Sequence, residues 1–464
     1  MKKIANLENL IYLTVFCLPL YLVRFNLLGV PTNVLEMLIG TSFVFWILNR
    51  VETRQCLVST GAIDKKYLLP ILLIFAGLII SRYINMYVSN YVHSLGIIKG
   101  WFVLPFLFFV AARSVVPNDK IKNIFIAYYL SAFVVALVSL GFYFSGNVTF
   151  DGRLQGIFNS PNYLAMYLAP ALITALAKFS ILRLRSGQAF NFQFSNNSKF
   201  LNDQDSKYKT FLAVSVILIL IIFYFTYSYA AWTALFGSLV IGGLIKMCHS
   251  ERSACLPARQ VAESRDLAAC KEKKVLWKIF GKKINKKYAL LVVIFLLTLL
   301  FQLSNKKFTD IINLDERSSL ASRVMIWKSA GKMLEEHWLW GVGSGNFQEI
   351  YLEYQKYFPP YLEWAAPHPH NIFLAFWLAG GIFCLVGFLW LIFLYFSDVL
   401  RRIGISKTSI RMSDIRNVGL RAMSEQITYI SLAIMLYILL HGLVDTTYFK
   451  NDLAVVFWMC FLVL

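Results

Sequence analysis

Charged residues are scarce in this sequence. Asp, Glu, Lys and Arg make up 15% of the 464 residues, whereas hydrophobic residues make up 58%. Soluble globular domains carry about 25% charged residues, so this composition excludes an ordinary soluble protein. It is typical of a chain that lies largely in hydrocarbon.

Cysteine pairs and internal repeats are also lacking. Three of the seven cysteines fall in predicted spans and four in predicted cytoplasmic loops, so none lies on the oxidising side to form a disulfide. Cys248, Cys255 and Cys270 lack the close paired spacing of zinc ligands. No unit of about 20 to 50 residues repeats, and no inverted repeat is apparent, which weighs against a repeat-built transporter. The absences leave a membrane protein without structural disulfides.

Long apolar runs recur along nearly the whole chain. A helix needs roughly 17 to 25 apolar residues to cross about 30 Å of hydrocarbon. The runs predict an all-α, polytopic membrane protein of about twelve transmembrane helices, at 7–24, 31–49, 67–84, 96–113, 122–144, 161–180, 210–227, 229–247, 288–303, 371–396, 427–445 and 453–464. The last run has only 12 residues, so eleven spans is the alternative.

The distribution of basic residues predicts the orientation. With the N-terminus in the cytoplasm and the first span retained, 33 of the 45 Lys and Arg residues fall in or beside cytoplasmic segments and 12 fall outside. The opposite orientation would invert that ratio. The formal charge of +20 is therefore interpreted as a topology signal and a fit to anionic lipids, not as a nucleic-acid surface.

Three regions follow from this topology. Residues 1–303 hold spans one to nine, with basic cytoplasmic insertions at about 181–209 and 248–287. Residues 304–370 form a large extracytoplasmic loop between the ninth and tenth spans, and residues 371–464 hold the remaining spans. An ordered outer loop of this length is more often a binding or catalytic cap than a tether.

Within the outer loop, one segment predicts an amphipathic helix. From Ser319 to Trp340 the residues at helical spacing form an apolar stripe, and Ser318 or Ser319 can cap the start while Gly341 can end it. The members of the stripe are Val324, Trp327, Gly331, Leu334 and Trp338.

Two of the six histidines lie at the end of this loop, in the sequence PHPHN. Pro367 and Pro369 disfavour helix before them, so the next helix is expected to begin at about Pro369 to Asn371. His370 then lies at a helix N-terminus, where the helix dipole favours a neutral imidazole that can act as a general base. The alternatives are a polar helix cap and, less favoured for want of further ligands, a metal site with His368.

Arginines form a second group of candidates on the same side of the membrane. Arg153 precedes Asn159–Asn162, which opens the sixth span, and Arg323 lies on the amphipathic helix with Arg317 before it. A guanidinium group can donate two hydrogen bonds to one phosphate. Each arginine taken singly is more typical of an anchor at the headgroup level than of a ligand.

The eleventh span ends in HGLVD, which brings two ionisable residues together. His441 and Asp445 are four residues apart, so on a helix they would share one face and could form a hydrogen bond. Ionisable groups within spans are costly and usually functional. A pair that satisfies itself between packed helices is the alternative.

These motifs together resemble the O-antigen ligase and O-antigen polymerase family of bacterial membrane glycosyltransferases. The resemblance covers most of the chain from Arg153 onward. Its pieces are RLQGIFNSPN at 153–162, SRVMIW at 322–327, LWGVGSGNF at 339–347, HNIFL at 370–374 and GGI at 380–382. One departure is the outer turn at Tyr227, where many relatives carry an arginine.

The resemblance implies an enzyme that moves a glycan from a polyprenyl diphosphate to an acceptor hydroxyl on a glycan, lipid or protein. It needs no cofactor or metal, works among membrane lipids in the bacterial inner membrane, and does not bind nucleic acid. The implied catalytic residues are His370 as the base, with Arg153 and Arg323 on the diphosphate. The residues expected to contact substrate are Arg317, Asn162, His368, Asn371, His441, Asp445 and Trp327.

Three other functions remain open at this point. Within the family, a polymerase would join repeat units, whereas a ligase would deliver glycan to lipid A core, protein or another acceptor. A polysaccharide flippase or permease would place ionisable residues along a path through the membrane. A non-catalytic scaffold would tolerate the loss of His370 or Arg323.

Overall fold

The computed structural model describes residues 2–27, 29–52, 64–85, 91–187, 198–261, 319–358, 366–405 and 415–464. Within these ranges the chain is almost entirely helical, with one two-stranded hairpin. Seven of the described helices are long and apolar enough to cross a membrane. The prediction of a helical, polytopic membrane protein is therefore confirmed.

The helices have the following bounds. They are α1 (Lys2–Phe16), α2 (Val34–Glu52), α3 (Leu68–Ile84), α4 (Tyr91–Ile97), α5 (Leu104–Val115), α6 (Ile121–Phe144), α7 (Pro161–Gly187), α8 (Ser198–Phe225), α9 (Tyr229–Val261), α10 (Ser319–His337), α11 (Phe347–Tyr354), α12 (Ile372–Ile405), α13 (Ile415–Gly442) and α14 (Asn451–Phe461). A π-helical segment, Ile98–Val103, joins α4 to α5. Short 3₁₀ turns are Leu18–Leu22, Lys65–Tyr67, Asn118–Lys120 and Gln355–Tyr357.

The number of spans stays a prediction. Beyond the seven long helices, three shorter apolar stretches lie at Pro161–Ala177, Thr210–Phe225 and Asn451–Phe461. The predicted ninth span, 288–303, lies outside the described residues. Helices α7 and α9 also continue past the predicted spans into the two basic insertions, where no helix was expected.

The first predicted span is wrong at its end. Instead of one helix to residue 24, α1 stops at Phe16, and Pro19 lies in the 3₁₀ turn that follows. The chain then forms β1 (Arg24–Leu27) and β2 (Val30–Asn33), antiparallel, with Leu27 opposite Val30 and Gly29 at φ +81° in the turn. The turn needs a residue that accepts positive φ, which glycine does without steric cost.

One end of the bundle gathers the connecting segments that matter for the site. The backbone N–H of Leu154, after α6, donates to the carbonyl of Phe225 at the end of α8. Asn371, before α12, donates to the carbonyl of Leu443 after α13. Lys99 of the π segment donates to the carbonyl of Pro31 in β2. The basic-residue distribution predicts that this end faces outward.

The amphipathic helix exists, but of the predicted stripe only Leu334 is buried, while Val324 and Trp338 are exposed. The buried residues are Ser322, Met325, Ile326, Ser329, Ala330, Met333 and Leu334. Thioether and aliphatic side chains pack better against α11 and α12 than indoles, whose N–H groups need partners. Trp327 instead donates its indole N–H to the carbonyl of His370, at 3.2 Å.

A kink in α12 holds the outer loop in place. Gly380 and Gly381 leave helical geometry, with φ +67° at Gly381. The freed carbonyl of Leu378 accepts the backbone N–H groups of Val342 and Gly343, at 2.8 and 3.1 Å. The GGI and LWGVGSGNF motifs are therefore two halves of one backbone junction.

Replacing Gly381 with alanine should destabilise the protein. A Cβ there would lie 2.7 Å from the carbonyl carbon of Leu339, and φ +67° strains any other residue by about 1 to 3 kcal/mol before that overlap is counted. Thermal unfolding in detergent measures the effect. Gly331→Ala is the matched control, since nothing lies near its Cβ position and helical alanine is favoured by about 0.5 to 1 kcal/mol. An unchanged Tm for Gly381→Ala would contradict the stabilising role proposed for this backbone junction.

Candidate active site

Asp445 is the centre of a polar cluster at this end of the bundle. It lies just after α13, and its side chain is 3% exposed. Its Oδ1 contacts Nδ1 of His370 at 3.1 Å, and its Oδ2 accepts Nδ2 of Asn162 at 3.0 Å and lies 3.7 Å from Nη2 of Arg323. One carboxylate therefore joins three segments of the chain that are far apart in sequence.

The charge state of Asp445 follows from these neighbours. Burial alone would raise the pKa of the carboxyl group, but the positive charge and hydrogen bond of His370 and the charge of Arg323 oppose this. The net result is a pKa well below the ordinary value, so Asp445 is a carboxylate at neutral pH.

His370 is held in an unusual backbone conformation. Its φ is +45°, a value that residues other than glycine seldom adopt. Residues with such strained backbones are often found at functional sites. Asn371 begins α12 behind it, because its Oδ1 accepts the N–H groups of Phe373 and Leu374. Helix α12 starts at Ile372, close to the predicted position.

The contact with Asp445 selects one tautomer of His370. A carboxylate can only accept, so Nδ1 of the imidazole carries the hydrogen in this contact. The Nε2 atom of a neutral ring is then free to accept a proton. The side chain is 26% exposed, so a ligand can reach it.

Arg153 joins the cluster through Asn162. Its Nη2 donates to Oδ1 of Asn162 at 2.7 Å, while Nε donates to the carbonyl of Thr226 at 2.8 Å. Burial is the main influence on Arg153 and lowers its pKa, which Asp151 partly offsets. An arginine pKa starts so high that the side chain keeps its charge.

Arg323 reaches the cluster from α10. Its Nη1 donates to Oγ of Ser319 at 2.8 Å, so the predicted capping serine also orients the guanidinium. Its buried Nε has no hydrogen-bond partner among the residues that the structure describes. Arg323 thus lies beside the central carboxylate, whereas Arg153 reaches it through Asn162 and lies 3.9 Å from a carboxylate of its own, that of Asp151. The cluster has one donor to spare, the Nε of Arg323.

Other predicted residues lie at different positions. The expected side-chain hydrogen bond between His441 and Asp445 does not form, because α13 ends at Gly442; only the backbone N–H of Asp445 donates to the carbonyl of His441, at 3.0 Å. Buried His441 instead contacts the hydroxyl of Tyr437 at 2.9 Å. Asn371 uses its amide in capping and in the bond to Leu443. Arg317 lies outside the described residues.

His368 lies beside the cluster rather than in it. Its ring meets Trp101 edge-on, with 5.7 Å between ring centroids. Burial, followed by the charges of Lys450 and His370, lowers its pKa to about 3. The imidazole is therefore uncharged at any physiological pH.

One cation near the site, Lys450, was not predicted from the sequence. Lys450 lies 4.4 Å above the ring of Tyr163, and burial lowers its pKa. A signal was present, because few basic residues fall on the predicted outer side and each of them is therefore a candidate. Lys450 directly follows Tyr448 and Phe449, and a basic residue beside aromatic residues is also typical of the membrane interface. Its position in the sequence therefore did not distinguish a functional residue from an interfacial anchor.

A comparison with known families matches part of this chain. Residues 214–389 match the family model described as O-antigen ligase. The match runs from within α8 to within α12 and includes Arg323 and His370, whereas Arg153, Asn162 and Asp445 lie outside it. No curated protein gives a significant match. The resemblance drawn from the motifs is confirmed, and the match supports the assignment of this chain to the O-antigen ligase and polymerase family.

Proposed function

We propose that this protein is a membrane glycosyltransferase of the O-antigen ligase type. It moves a glycan from a polyprenyl-diphosphate carrier to an acceptor hydroxyl at the outer face of the bacterial inner membrane, in the synthesis of lipopolysaccharide or a related polysaccharide. The observation that carries the proposal is the Asp445 cluster, in which one buried carboxylate contacts an imidazole, lies beside the guanidinium of Arg323 and is connected to Arg153 through Asn162.

In this mechanism the arginines bind the leaving group. Negative charge develops on the diphosphate as its bond to the anomeric carbon breaks, and Arg323 and Arg153 are positioned to stabilise it. The unpartnered Nε of Arg323 is a donor that a phosphate oxygen would satisfy. No metal is needed for this role.

His370 activates the acceptor. Its Nε2 removes the proton of the acceptor hydroxyl as that oxygen bonds to the anomeric carbon, and the polyprenyl diphosphate leaves with the electron pair of the broken bond. Asp445 holds the tautomer and stabilises the imidazolium that forms, in the way that the carboxylate of a catalytic triad does. The proton then returns to solvent or to the released diphosphate.

A flippase or permease fits the arrangement less well. In that case ionisable groups would line a path through the spans. Here Arg153, Arg323 and His370 lie on segments between or beside the spanning helices, at one end of the bundle.

The direct test uses the purified full-length protein, a defined polyprenyl-diphosphate glycan and candidate acceptors. We expect a transferred product together with released polyprenyl diphosphate. Product sizing distinguishes a ligase, which transfers the donor glycan once, from a polymerase, which builds a ladder on a second lipid-linked glycan. Vectorial movement of the lipid-linked glycan without either product would overturn the proposal in favour of a flippase.

Arg153→Lys should lose about 10- to 100-fold in transfer rate although its charge is kept. The guanidinium donates in two directions at once, to Thr226 and to Asn162, and a lysine ammonium cannot reproduce that geometry. The measurement is steady-state transfer at saturating donor. Arg401→Lys, the same exchange at the other end of the bundle, is the control that should keep its rate. Full activity of Arg153→Lys would show that transfer does not depend on the two simultaneous hydrogen bonds of the guanidinium group.

A further inference from the structure

A cavity of about 760 Å³ lies beside the Asp445 cluster and takes no part in the mechanism above. Its walls are the β1–β2 hairpin, α4 with the π segment, the loop Gly343–Gly345 and the residues just before His370. Ligand cavities commonly span about 300 to 1,000 Å³, so this one has room for a short oligosaccharide.

The cavity lining differs in character from the cluster. Among the described residues, its formally charged side chains are one cation, Arg24, and one anion, Glu36, and Glu36 is already paired with Lys99 at 2.8 Å. His368 on the wall is uncharged because burial lowers its pKa to about 3. The lining therefore suits an uncharged ligand, whereas the Asp445 cluster suits an anion.

Fixed polar groups face this space. Glu36 accepts hydrogen bonds from Thr32 at 3.0 Å and from Asn451 at 3.1 Å, while Asn33 accepts the backbone N–H of Glu36. Ser344, also on the wall, has a buried hydroxyl without a partner among the described residues. Side chains locked by one another lose little freedom when they bind hydroxyl groups of a ligand.

Trp101 supplies an aromatic wall. Its ring is held edge-on by His368 and by Phe449, with centroid distances of 5.7 and 6.0 Å. An indole presents a broad apolar face beside a polar edge, which matches a sugar ring with its C–H groups on one face and hydroxyls at its rim. Aromatic faces next to fixed amides and a carboxylate therefore point to a carbohydrate.

We propose that this cavity binds neutral sugar units of the acceptor glycan, with Trp101 as the stacking surface. The inference rests on the proposed function. An attacking hydroxyl approaches the anomeric carbon from the side opposite the leaving diphosphate, and the diphosphate is assigned to the arginines. The cavity wall includes His368 and Pro369, the two residues directly before His370, so the cavity lies next to the segment that carries the base.

Binding can be tested apart from catalysis. The full-length protein in nanodiscs is titrated calorimetrically with neutral trisaccharides of glucose, galactose, mannose or N-acetylglucosamine. We expect one of them to bind, and Trp101→Leu to weaken its binding about tenfold. Trp338→Leu is the matched control, because Trp338 is 53% exposed and lies outside the cavity lining. Inorganic pyrophosphate, which probes the arginines, should bind Trp101→Leu as tightly as the wild type.

A second variant covers the case in which Trp101→Leu fails to fold. Gln348 lines the cavity and is half-buried, and its substitution by alanine should weaken the same trisaccharide several-fold. The assignment is overturned if no trisaccharide binds, if binding is unchanged in both variants, or if pyrophosphate displaces the sugar.

The same variants separate this inference from the proposed function. In a transfer assay they should raise KM for the acceptor and leave KM for the lipid-linked donor unchanged. Transfer with an unchanged acceptor KM would refute the cavity assignment alone. Sugar binding without transfer from any polyprenyl-diphosphate glycan would refute the proposed function alone.

Discussion

His370→Ala is expected to lower the transfer rate by about 10²- to 10⁴-fold, the usual contribution of a positioned general base. A sugar hydroxyl is a poor nucleophile until its proton is removed, and Nε2 of His370 is the acceptor that the contact with Asp445 leaves free. The measurement is transfer from a defined lipid-linked donor at saturating concentrations of both substrates. Donor binding should change little, because the arginines are intact.

The pH profile checks the same role independently. A base works only in its unprotonated form, so the wild-type rate should fall as the pH is lowered. His368 cannot cause the decline, since its pKa of about 3 keeps it uncharged, and Asp445 stays ionised because its pKa lies below the ordinary value. His337→Gln, at an exposed histidine of the same loop, should keep both rate and profile. A flat profile with chemistry rate-limiting would remove His370 from the role of base.

Asp445→Asn is expected to be comparably severe, with a loss of about 10³- to 10⁴-fold, the scale seen when an orienting carboxylate is neutralised. The asparagine keeps the shape of the side chain but can present its NH₂ group to His370, which would then turn the wrong nitrogen toward the acceptor. The substitution also leaves Arg323 without its counter-charge. Turnover should therefore fall at saturating donor, with the loss mainly in kcat rather than KM.

The control for Asp445→Asn is a carboxylate with a structural role. Asp398 pairs with Lys66 at 2.6 Å and accepts the hydroxyl of Tyr67 at 2.7 Å, at the opposite end of the bundle. Asp398→Asn should lower the Tm without a matching loss of rate per folded molecule. If Asp445→Asn behaved in the same way, with a lowered Tm and a normal rate, Asp445 would be structural only.

The backbone at His370 links the cluster to the fold. A positive φ at a side-chain residue costs of order 1 to 3 kcal/mol and persists only where the surroundings impose it. Pro369 precedes the strained residue, Asn371 caps the helix behind it, and Trp327 of α10 binds its carbonyl. The ring is thus positioned by both the spanning helix and the outer loop.

Local sequence patterns identified the main candidates. Pro367 and Pro369 force an extended segment and a new helix start, which placed His370 at a helix N-terminus without any tertiary information. Arg153 and Arg323 were candidates because they lie on the predicted outer side, within the motifs of the resemblance, and a guanidinium group suits a phosphate. The structure brings all three into the cluster around Asp445.

Other expectations failed where distant segments decide the outcome. Asp445 was paired with His441 because spacing along a helix reveals only neighbours of the same helix. Its contact with His370 crosses 75 positions of sequence. The buried stripe of α10 was misplaced for a similar reason, since the indole of Trp327 has a partner in another segment.

The sequence alone determined that this is a helical membrane protein and which side chains deserve attention, because hydrocarbon length, proline geometry and charge placement act locally. Only the tertiary structure decided that a single carboxylate holds His370, Asn162 and Arg323 together, and that a cavity opens beside them. Such contacts depend on how helices pack and where each one ends. The end of α13 at Gly442, three residues before the predicted end at 445, changes the partner of a side chain without altering any local pattern.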